Sequence, residues 1–312
     1  MSATSEKIYQ LQLSGLPENE GQIKAKRLLQ VVEALIETAE RATRLSVTGE
    51  GRARGSKPGW LNATVDFTIT GLEKGSTVIG LRAPSFCDAV PGLFAQLDFW
   101  REKPRLDDTA LDLAALAIEE AGSDSPEGDR FDGSVLEAIL KFSRSGGTHG
   151  INYKLVPRGS ARGKFTLNEN LCTRVRQQIE NIPHPKAFIV TGMLDEIKHG
   201  GGRFRLLLEG NSYILGRLNT DFLDVEALRT LWGRSTTVEG MVHFKVNGQP
   251  RLIEARKISP RLEGDCVFEK MPESEQKLGS FFKRPTRAAD IDNLAAAWPE
   301  DESIEELLAE LD

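Results

Sequence analysis

Apolar and polar residues repeat along this chain with two different periods, which predict helices and strands. The stretch "KIYQLQL" predicts a first strand, and apolar residues recur at helical spacing through "IKAKRLLQVVEALIETAERAT". In "WLNATVDFTITGL" every second residue from Leu61 to Ile69 is apolar, which predicts a half-buried strand, with "VIGLRAP" as its partner. The first part of the chain therefore combines strands and helices.

Two more helices and a hairpin are predicted before residue 175. The first helix is "DDTALDLAALAIEEAG". The second is expected to begin at Ser134, because Glu137 follows three residues later and completes a capping box. The segments "INYKLV" and "KFTLN" predict a hairpin; "LVPRGS" within it matches a thrombin cleavage sequence and is set aside from functional reasoning. Residues 1–175 are thus predicted to form an α+β domain of unknown role.

The pattern changes after residue 175 to five strands with one helix before the fourth. Strands are predicted in "AFIVTGMLDEIK", in two segments joined around Gly210-Asn211, in "STTVEGMVHFKVNGQ" and in "PRLIEARKISP", and the helix in "DVEALRTLWG". This order resembles the OB-fold, a small Greek-key barrel. Residues 176–263 are therefore predicted to form an OB-like β-barrel, and residues 264–312 a partly helical tail.

Composition fits a folded protein and places the net charge at the C-terminus. The 312 residues are 39% hydrophobic, and the formal charge is −6. Seven acids lie in residues 300–312, so the charge of the remainder is −6 + 7 = +1. The absence of a long apolar run, of a signal-peptide pattern and of paired cysteines predicts a cytoplasmic protein without a membrane span.

Motifs for catalysis and cofactors are weak. The four histidines and three cysteines form no metal-ligand spacing, and no phosphate-binding glycine motif is present, so no metal and no cofactor are expected. Glu196 and Lys198 match half of a metal-dependent nuclease pattern, but the preceding strand "AFIVTGML" lacks the required aspartate. A nuclease therefore stays a distant alternative, and the chain is expected not to be an enzyme.

Basic and aromatic residues on the predicted barrel strands suggest a second function. OB-type barrels bind single strands through a basic groove and stacking aromatic rings. The candidate nucleic-acid contacts are Arg203, Arg205, Tyr213, Arg217, Arg251 and Arg256. A solvated barrel surface or a face that docks a protein explains the same residues.

The tail "AAAWPEDESIEELLAELD" carries the pattern of a short amphipathic helix. Ser303 and Glu306 form a capping box, and Ile304, Leu307, Leu308 and Leu311 have the spacing of one helical stripe. A helix this short is marginal alone, so it needs a groove on another protein or on its own chain. Binding to a protein partner is the favoured interpretation, with Phe281 and Phe282 as a second anchor.

Several segments resemble uncharacterised bacterial proteins that have a small barrel followed by a Trp-Pro-acidic tail. The resemblance rests on "VTGMLDEIKHGGGRFRLLLEG", "LIEARKIS", "GDCVFEKMP" and "WPEDESIEELLAELD", across residues 185–312. Such tails are similar to those of antitoxins encoded beside PIN-domain toxins. The resemblance implies that Trp298, Ile304, Leu307, Leu308 and Leu311 pack on the toxin and that Arg284 or Arg287 neutralises its acidic metal site. The chain departs from a typical antitoxin in its length and in lacking an obvious DNA-binding segment.

These observations give a ranked set of functions. The first is an antitoxin-like protein of a bacterial toxin–antitoxin system, which binds and neutralises a PIN-type ribonuclease encoded nearby. The alternative is an accessory protein of phage defence or regulation that binds DNA or RNA through the OB-like barrel. The sequence leaves the oligomeric state open.

Overall fold

The computed structural model describes most of the first 274 residues. The described ranges are 6–16, 22–53, 55–73, 77–95, 104–146, 150–159, 161–198, 202–219, 223 and 225–274. All of them belong to one unit, residues 1–274, which contains two hydrophobic cores. The tail residues that the sequence nominates for partner binding lie outside the described residues.

The first core lies under an antiparallel sheet of five strands in the order β2-β3-β1-β4-β5. The strands are β1 (Lys7–Ser14), β2 (Thr68–Glu73), β3 (Thr77–Ala83), β4 (Asn152–Arg158) and β5 (Phe165–Leu167). Strand β1 is the central strand of the sheet. Its alternate residues Tyr9, Leu11 and Leu13 are apolar, and all three are buried. The "LVPRGS" match begins inside β4, where Leu155 is buried opposite Leu11.

Seven helices accompany this sheet in the described residues. They are α1 (Ala25–Thr48), α2 (Gly59–Thr64), α3 (Phe86–Ala89), α4 (Pro91–Ala95), α5 (Ala110–Ala121), α6 (Gly133–Gly146) and α7 (Glu169–Asn181). Helix α1 packs on α5 and α6, and α6 packs on α7. The packed residues of the first core extend to Ile179 and Ile182, just before the barrel begins. The predicted combination of strands and helices is confirmed.

The strand predicted from Leu61 to Ile69 is wrong in its first half. Residues Gly59–Thr64 form helix α2, and strand β2 begins only at Thr68. Leu61 and Thr64 are three residues apart, so they lie on the same side of one helical turn. Both are buried. Pro58 precedes the first helical residue, where its fixed φ suits helix entry.

Helix α6 begins one residue earlier than the capping box at Ser134 predicts. Asp132 Oδ1 accepts hydrogen bonds from the Val135 backbone N–H at 2.9 Å and from the Ser134 hydroxyl at 2.7 Å. The capping residue is therefore Asp132, whose carboxylate is also favoured by the helix dipole.

The second core fills a closed barrel of five strands in the order β10-β8-β7-β6-β9. The elements are β6 (Lys186–Lys198), β7 (Arg203–Leu207), β8 (Tyr213–Leu218), α8 (Val225–Leu231), β9 (Ser235–Phe244) and β10 (Pro250–Pro260). Strands β8 and β10 pair in parallel, while the other neighbours are antiparallel. The predicted strand and helix order of an OB-like barrel is confirmed.

Two glycine positions explain how the chain closes this barrel. The β7–β8 hairpin turns at Gly210 and Asn211, which have φ values of 71° and 59°. Within β8, a Cβ on Gly216 would lie 2.2 Å from the Phe204 ring. Only glycine leaves room for Phe204 in the barrel interior, where 3% of its surface is exposed.

A short 3₁₀ segment, Glu263–Phe268, follows the barrel and contacts β6. Asp265 accepts a hydrogen bond of 2.6 Å from the Thr237 hydroxyl, and Met271 packs on the barrel core. Within the described ranges, no helix has both the length and the apolar composition needed to cross a membrane.

Candidate functional site

The barrel residues nominated for nucleic-acid contact lie on three strands. Strand β7 carries Arg203 and Arg205, β8 carries Tyr213 and Arg217, and β10 carries Arg251 and Arg256. Arg203 and Arg217 are cross-strand neighbours, and the Arg205 guanidinium lies 5.8 Å from the centre of the Tyr213 ring. The structure thus brings four of the six together on the β7–β8 face.

Arg205 is buried and paired within the barrel. Its Nη2 contacts Asp195 Oδ2, and its Nη1 lies 3.7 Å from Glu196 Oε2. Only 7% of the Arg205 surface is exposed, and the pair of acids at the end of β6 engages its two terminal nitrogens. Glu196, on which the nuclease alternative depends, faces an arginine of its own chain.

Arg217 joins the barrel to the first core. Its Nη1 contacts Glu50, which follows α1, and its Nη2 donates to Glu254 Oε2 at 2.7 Å. Glu254 also accepts a hydrogen bond of 2.7 Å from Asn219, and His243 Nε2 lies 3.8 Å away. A half-buried cluster of two carboxylates, one guanidinium and one imidazole therefore spans the boundary between the two cores.

The pKa values of this cluster respond to burial and to Arg217. Burial raises the pKa of Glu50, and the positive charge of Arg217 offsets only part of that rise. Burial also raises the pKa of Glu254, but its hydrogen bond and ion pair with Arg217 bring it below the ordinary value. Burial lowers the pKa of His243, and Arg217 lowers it further. At neutral pH the cluster therefore contains an ionised Glu254 beside a neutral His243 imidazole.

Arg251 forms a second link between the cores. Its Nη2 donates to the backbone carbonyls of Gly128 and Phe131, with 2.6 Å to the Phe131 oxygen. Beside it, Lys245 Nζ donates to Asp129 Oδ1 at 2.6 Å. The Glu120 carboxylate accepts three backbone N–H groups of the same loop, which fixes residues 128–130 against the end of α5.

Arg256 differs from the other arginines because it is exposed. It lies at a register shift between β9 and β10, next to the exposed Lys257. Bulges of this kind turn side chains outward. The structure therefore leaves Arg256 on the surface and places Arg251 at the contact between the cores, so that the two do not share a face.

A cleft of about 890 Å³ opens where α1 and α5 meet β8 and β10. Its walls include apolar side chains of both cores, among them Leu45, Leu116, Leu215 and Met271. Six cationic side chains also line it: Arg105, Arg130, Arg162, Lys164, Lys245 and Arg251. Pockets of this size and mixed lining are typical of small-molecule sites.

The candidate partner-binding residues cannot be placed in the described part of the chain. They all follow residue 274: Phe281, Phe282, Arg284, Arg287, Trp298, Ile304, Leu307, Leu308 and Leu311. In the part that is described, no group of three or more histidine, cysteine or acidic side chains is arranged to hold a metal ion. The cysteines Cys87, Cys172 and Cys266 are free thiols.

Sequence reasoning missed Glu50, Asp129 and the carbonyls of Gly128 and Phe131 as partners of the barrel cations. The separation explains this, since Arg217 and Glu50 are 167 residues apart. A partial signal existed, because Glu50 stands between two glycines at the end of α1, where an acid is unfavourable for the helix dipole.

Comparison with known proteins gives no relative. No protein-family model, no curated protein and no solved structure matches the chain.

Proposed function

We propose that this chain is a non-enzymatic, antitoxin-like protein of a bacterial toxin–antitoxin system, which binds and neutralises a partner toxin through residues 264–312. The observation that carries the proposal is the tail itself. Seven acids and the stripe Ile304, Leu307, Leu308 and Leu311 have the spacing of an amphipathic helix that lies in a groove of another molecule. The resemblance of this ending to antitoxins of PIN-type ribonucleases gives the class of partner.

The state of the barrel cations supports protein binding over nucleic-acid binding. Arg205 and Arg217 are ion-paired with acids of the same chain. A phosphate backbone is bound by cations that are free to neutralise it. Two of the six side chains on which the nucleic-acid alternative rests are therefore already neutralised by acids of the same chain.

The recognition chemistry follows from the tail sequence. Apolar residues of the stripe would fill an apolar groove, and the flanking acids would meet a basic rim of the partner. Arg284 and Arg287 precede this segment and carry the opposite charge. They are the residues that we expect to approach the acidic, metal-binding carboxylates of a PIN-type ribonuclease.

The proposal is tested by co-expressing the full chain with the protein encoded beside it and measuring growth and co-purification. Leu307→Asp with Leu308→Asp should abolish both rescue of growth and co-purification, because two anchors of the stripe become charged. Ala309→Asp is the matched control, since it adds the same charge off the stripe. Equal rescue by the double variant, or loss of rescue in the control as well, would overturn the assignment to this stripe.

The nucleic-acid alternative keeps one supporting observation, the exposed pair Arg256 and Lys257 on β10. Binding through this pair would be salt-dependent, as all phosphate contacts are. Arg256→Gln with Lys257→Gln should then weaken binding to a single-stranded oligonucleotide at low salt. Undetectable binding by the unaltered chain at low salt eliminates this alternative.

A further inference from the structure

Arg251 lines the cleft and is only partly exposed. Both hydrogen bonds of its guanidinium leave from Nη2, towards the carbonyls of Gly128 and Phe131. Its Nε is shielded from solvent and has no acceptor among the described residues. Within the same ranges, no carboxylate lies close enough to Arg251 to form an ion pair. A guanidinium has five N–H donors, so this one retains donors for a further acceptor.

Partial burial of Arg251 makes a charge without a direct counter-ion unfavourable. Burial lowers the pKa of Arg251, although Asp132 and Asp129 oppose the change from a distance. A shielded charge without a direct counter-ion destabilises a protein unless a ligand or partner supplies one. Arg251 therefore has the properties expected of an anion-binding side chain.

Three of the four carboxylates that line the cleft already accept hydrogen bonds from groups of the same chain. Asp112 accepts hydrogen bonds from the backbone N–H groups of Thr109 and Gly163, and Asp129 pairs with Lys245. Asp108 accepts the backbone N–H of Arg105 at 2.8 Å. Six cations and four acids line the cleft, so its formal charge is positive and favours an anion, although Arg162 pairs with Asp107 and Lys245 with Asp129.

The cations form two groups at opposite ends of α5. Arg251 holds the loop that Glu120 fixes at the C-terminal end of α5, and Arg130 belongs to that loop. Arg162 and Lys164 flank Gly163, which Asp112 holds near the N-terminal end. From Asp112 to Glu120 the helix rises about 12 Å. Leu116 lies on α5 between Asp112 and Glu120, and Leu215 and Met271 also line the cleft.

We propose that this cleft binds a small organic anion whose acidic group lies against Arg251 and whose apolar body extends along α5 towards Arg162 and Lys164. The cleft volume of about 890 Å³ is too large for an inorganic ion and suits a molecule of nucleotide or acyl-chain size. Phosphate and carboxylate groups share a negative charge and a pair of acceptor oxygens, which a guanidinium can bind with two N–H donors. The residues that line the cleft include none of those nominated for toxin binding, so the two proposals can be tested independently.

Calorimetric titration of the full chain tests this site with three probes at constant ionic strength. The probes are adenosine diphosphate, octanedioate and inorganic phosphate, which separate phosphate-bearing from carboxylate-bearing ligands and an organic body from a bare ion. We expect one of the two organic probes to bind and inorganic phosphate to bind at least about tenfold more weakly. Absence of binding by both organic probes would overturn the proposal.

Two variants and one control locate the binding. Arg251→Gln should weaken the binding of the organic probe at least about tenfold, because the substitution removes a charged hydrogen-bond donor. Leu116→Trp should block the middle of the cleft and abolish binding, which keeps the test valid if Arg251→Gln does not fold. Arg256→Gln is the control, since Arg256 lies on the same strand but is exposed away from the cleft. Unchanged affinity in a folded Arg251→Gln or Leu116→Trp protein would refute the site.

Discussion

Arg217 is the residue whose removal should most affect the boundary between the two cores. Its guanidinium separates Glu50 from Glu254, so Arg217→Met would leave two half-buried carboxylates facing each other. Because all three side chains are partly exposed, we expect the free energy of unfolding to fall by roughly 1–3 kcal/mol. Urea unfolding of the full chain measures this change.

The matched control for this prediction is an exposed arginine with a simple partner. Arg229 pairs with Glu226 on the surface of α8 at 2.6 Å. Arg229→Met should change the free energy of unfolding by less than about 0.5 kcal/mol. Similar losses in both variants would show that the boundary cluster does not stabilise the fold beyond an ordinary surface pair.

His243 should make stability depend on pH in the mildly acidic range. Its folded pKa is lowered, so between the ordinary value near 6.5 and that lower value the unfolded chain binds more protons. The free energy of unfolding should therefore fall as pH drops below about 6.5. The raised pKa of Glu50 acts in the opposite direction, and the lowered pKa of Glu254 adds to the loss only below about 4.5.

Variant proteins isolate the His243 contribution from those of Glu50 and Glu254. In His243→Gln the urea midpoint should fall less between about pH 7 and about pH 5.5 than in the unaltered chain. His184→Gln, at an exposed position before β6, should leave the profile unchanged. Parallel profiles for the unaltered chain and His243→Gln would contradict the prediction.

The roles of individual cations could be predicted only in part. The sequence placed Arg203, Arg205, Arg217 and Arg251 on barrel strands correctly, because strand periodicity is local. Their partners could not be predicted, since Glu50 and the loop at Gly128 come from a distant part of the chain. A surface cation and an interface cation have the same sequence pattern, and only the fold distinguishes them.

At the scale of elements, helix α6 offers a direct test of the corrected cap. Asp132 accepts hydrogen bonds from Val135 and Ser134, and its other oxygen accepts the Gly51 N–H at 2.7 Å. Asp132→Ala should lower the free energy of unfolding by roughly 1–2 kcal/mol, while Ser134→Ala should lower it by less than about 1 kcal/mol. Chemical denaturation of both variants gives the comparison. A larger loss for Ser134→Ala would favour the cap that the sequence pattern predicted.

Helix α2 shows why element type is harder to predict than element order. Alternation over Leu61, Ala63 and Val65 satisfies a strand pattern, but six residues are too few to separate the two periods. The preceding Pro58 favours a helix, and Leu61 and Thr64 are buried where this helix packs on α1 and α3. The barrel strands β6, β9 and β10 are longer, with 13, 10 and 11 residues, and their pattern was predicted correctly.

At the scale of the whole molecule, the two cores should unfold together. Arg217 reaches Glu50, Lys245 reaches Asp129 and Arg251 reaches two carbonyls, so three links cross the boundary. Cores joined in this way normally unfold in one cooperative transition. Trp60 packs against the first core and Trp232 follows α8 of the barrel, so each reports one core by fluorescence.

Full-length proteins that keep only Trp60 or only Trp232 should therefore show the same urea midpoint. Adding Arg217→Met and Lys245→Met to both should separate the midpoints, because two of the three links are lost while each hydrophobic core keeps its apolar side chains. The control pair carries Arg229→Met and Arg234→Met, which remove two exposed barrel cations and should leave the midpoints together. Separate midpoints before any link is removed, or coincident midpoints after both are removed, would mean that the ionic contacts do not couple the two cores.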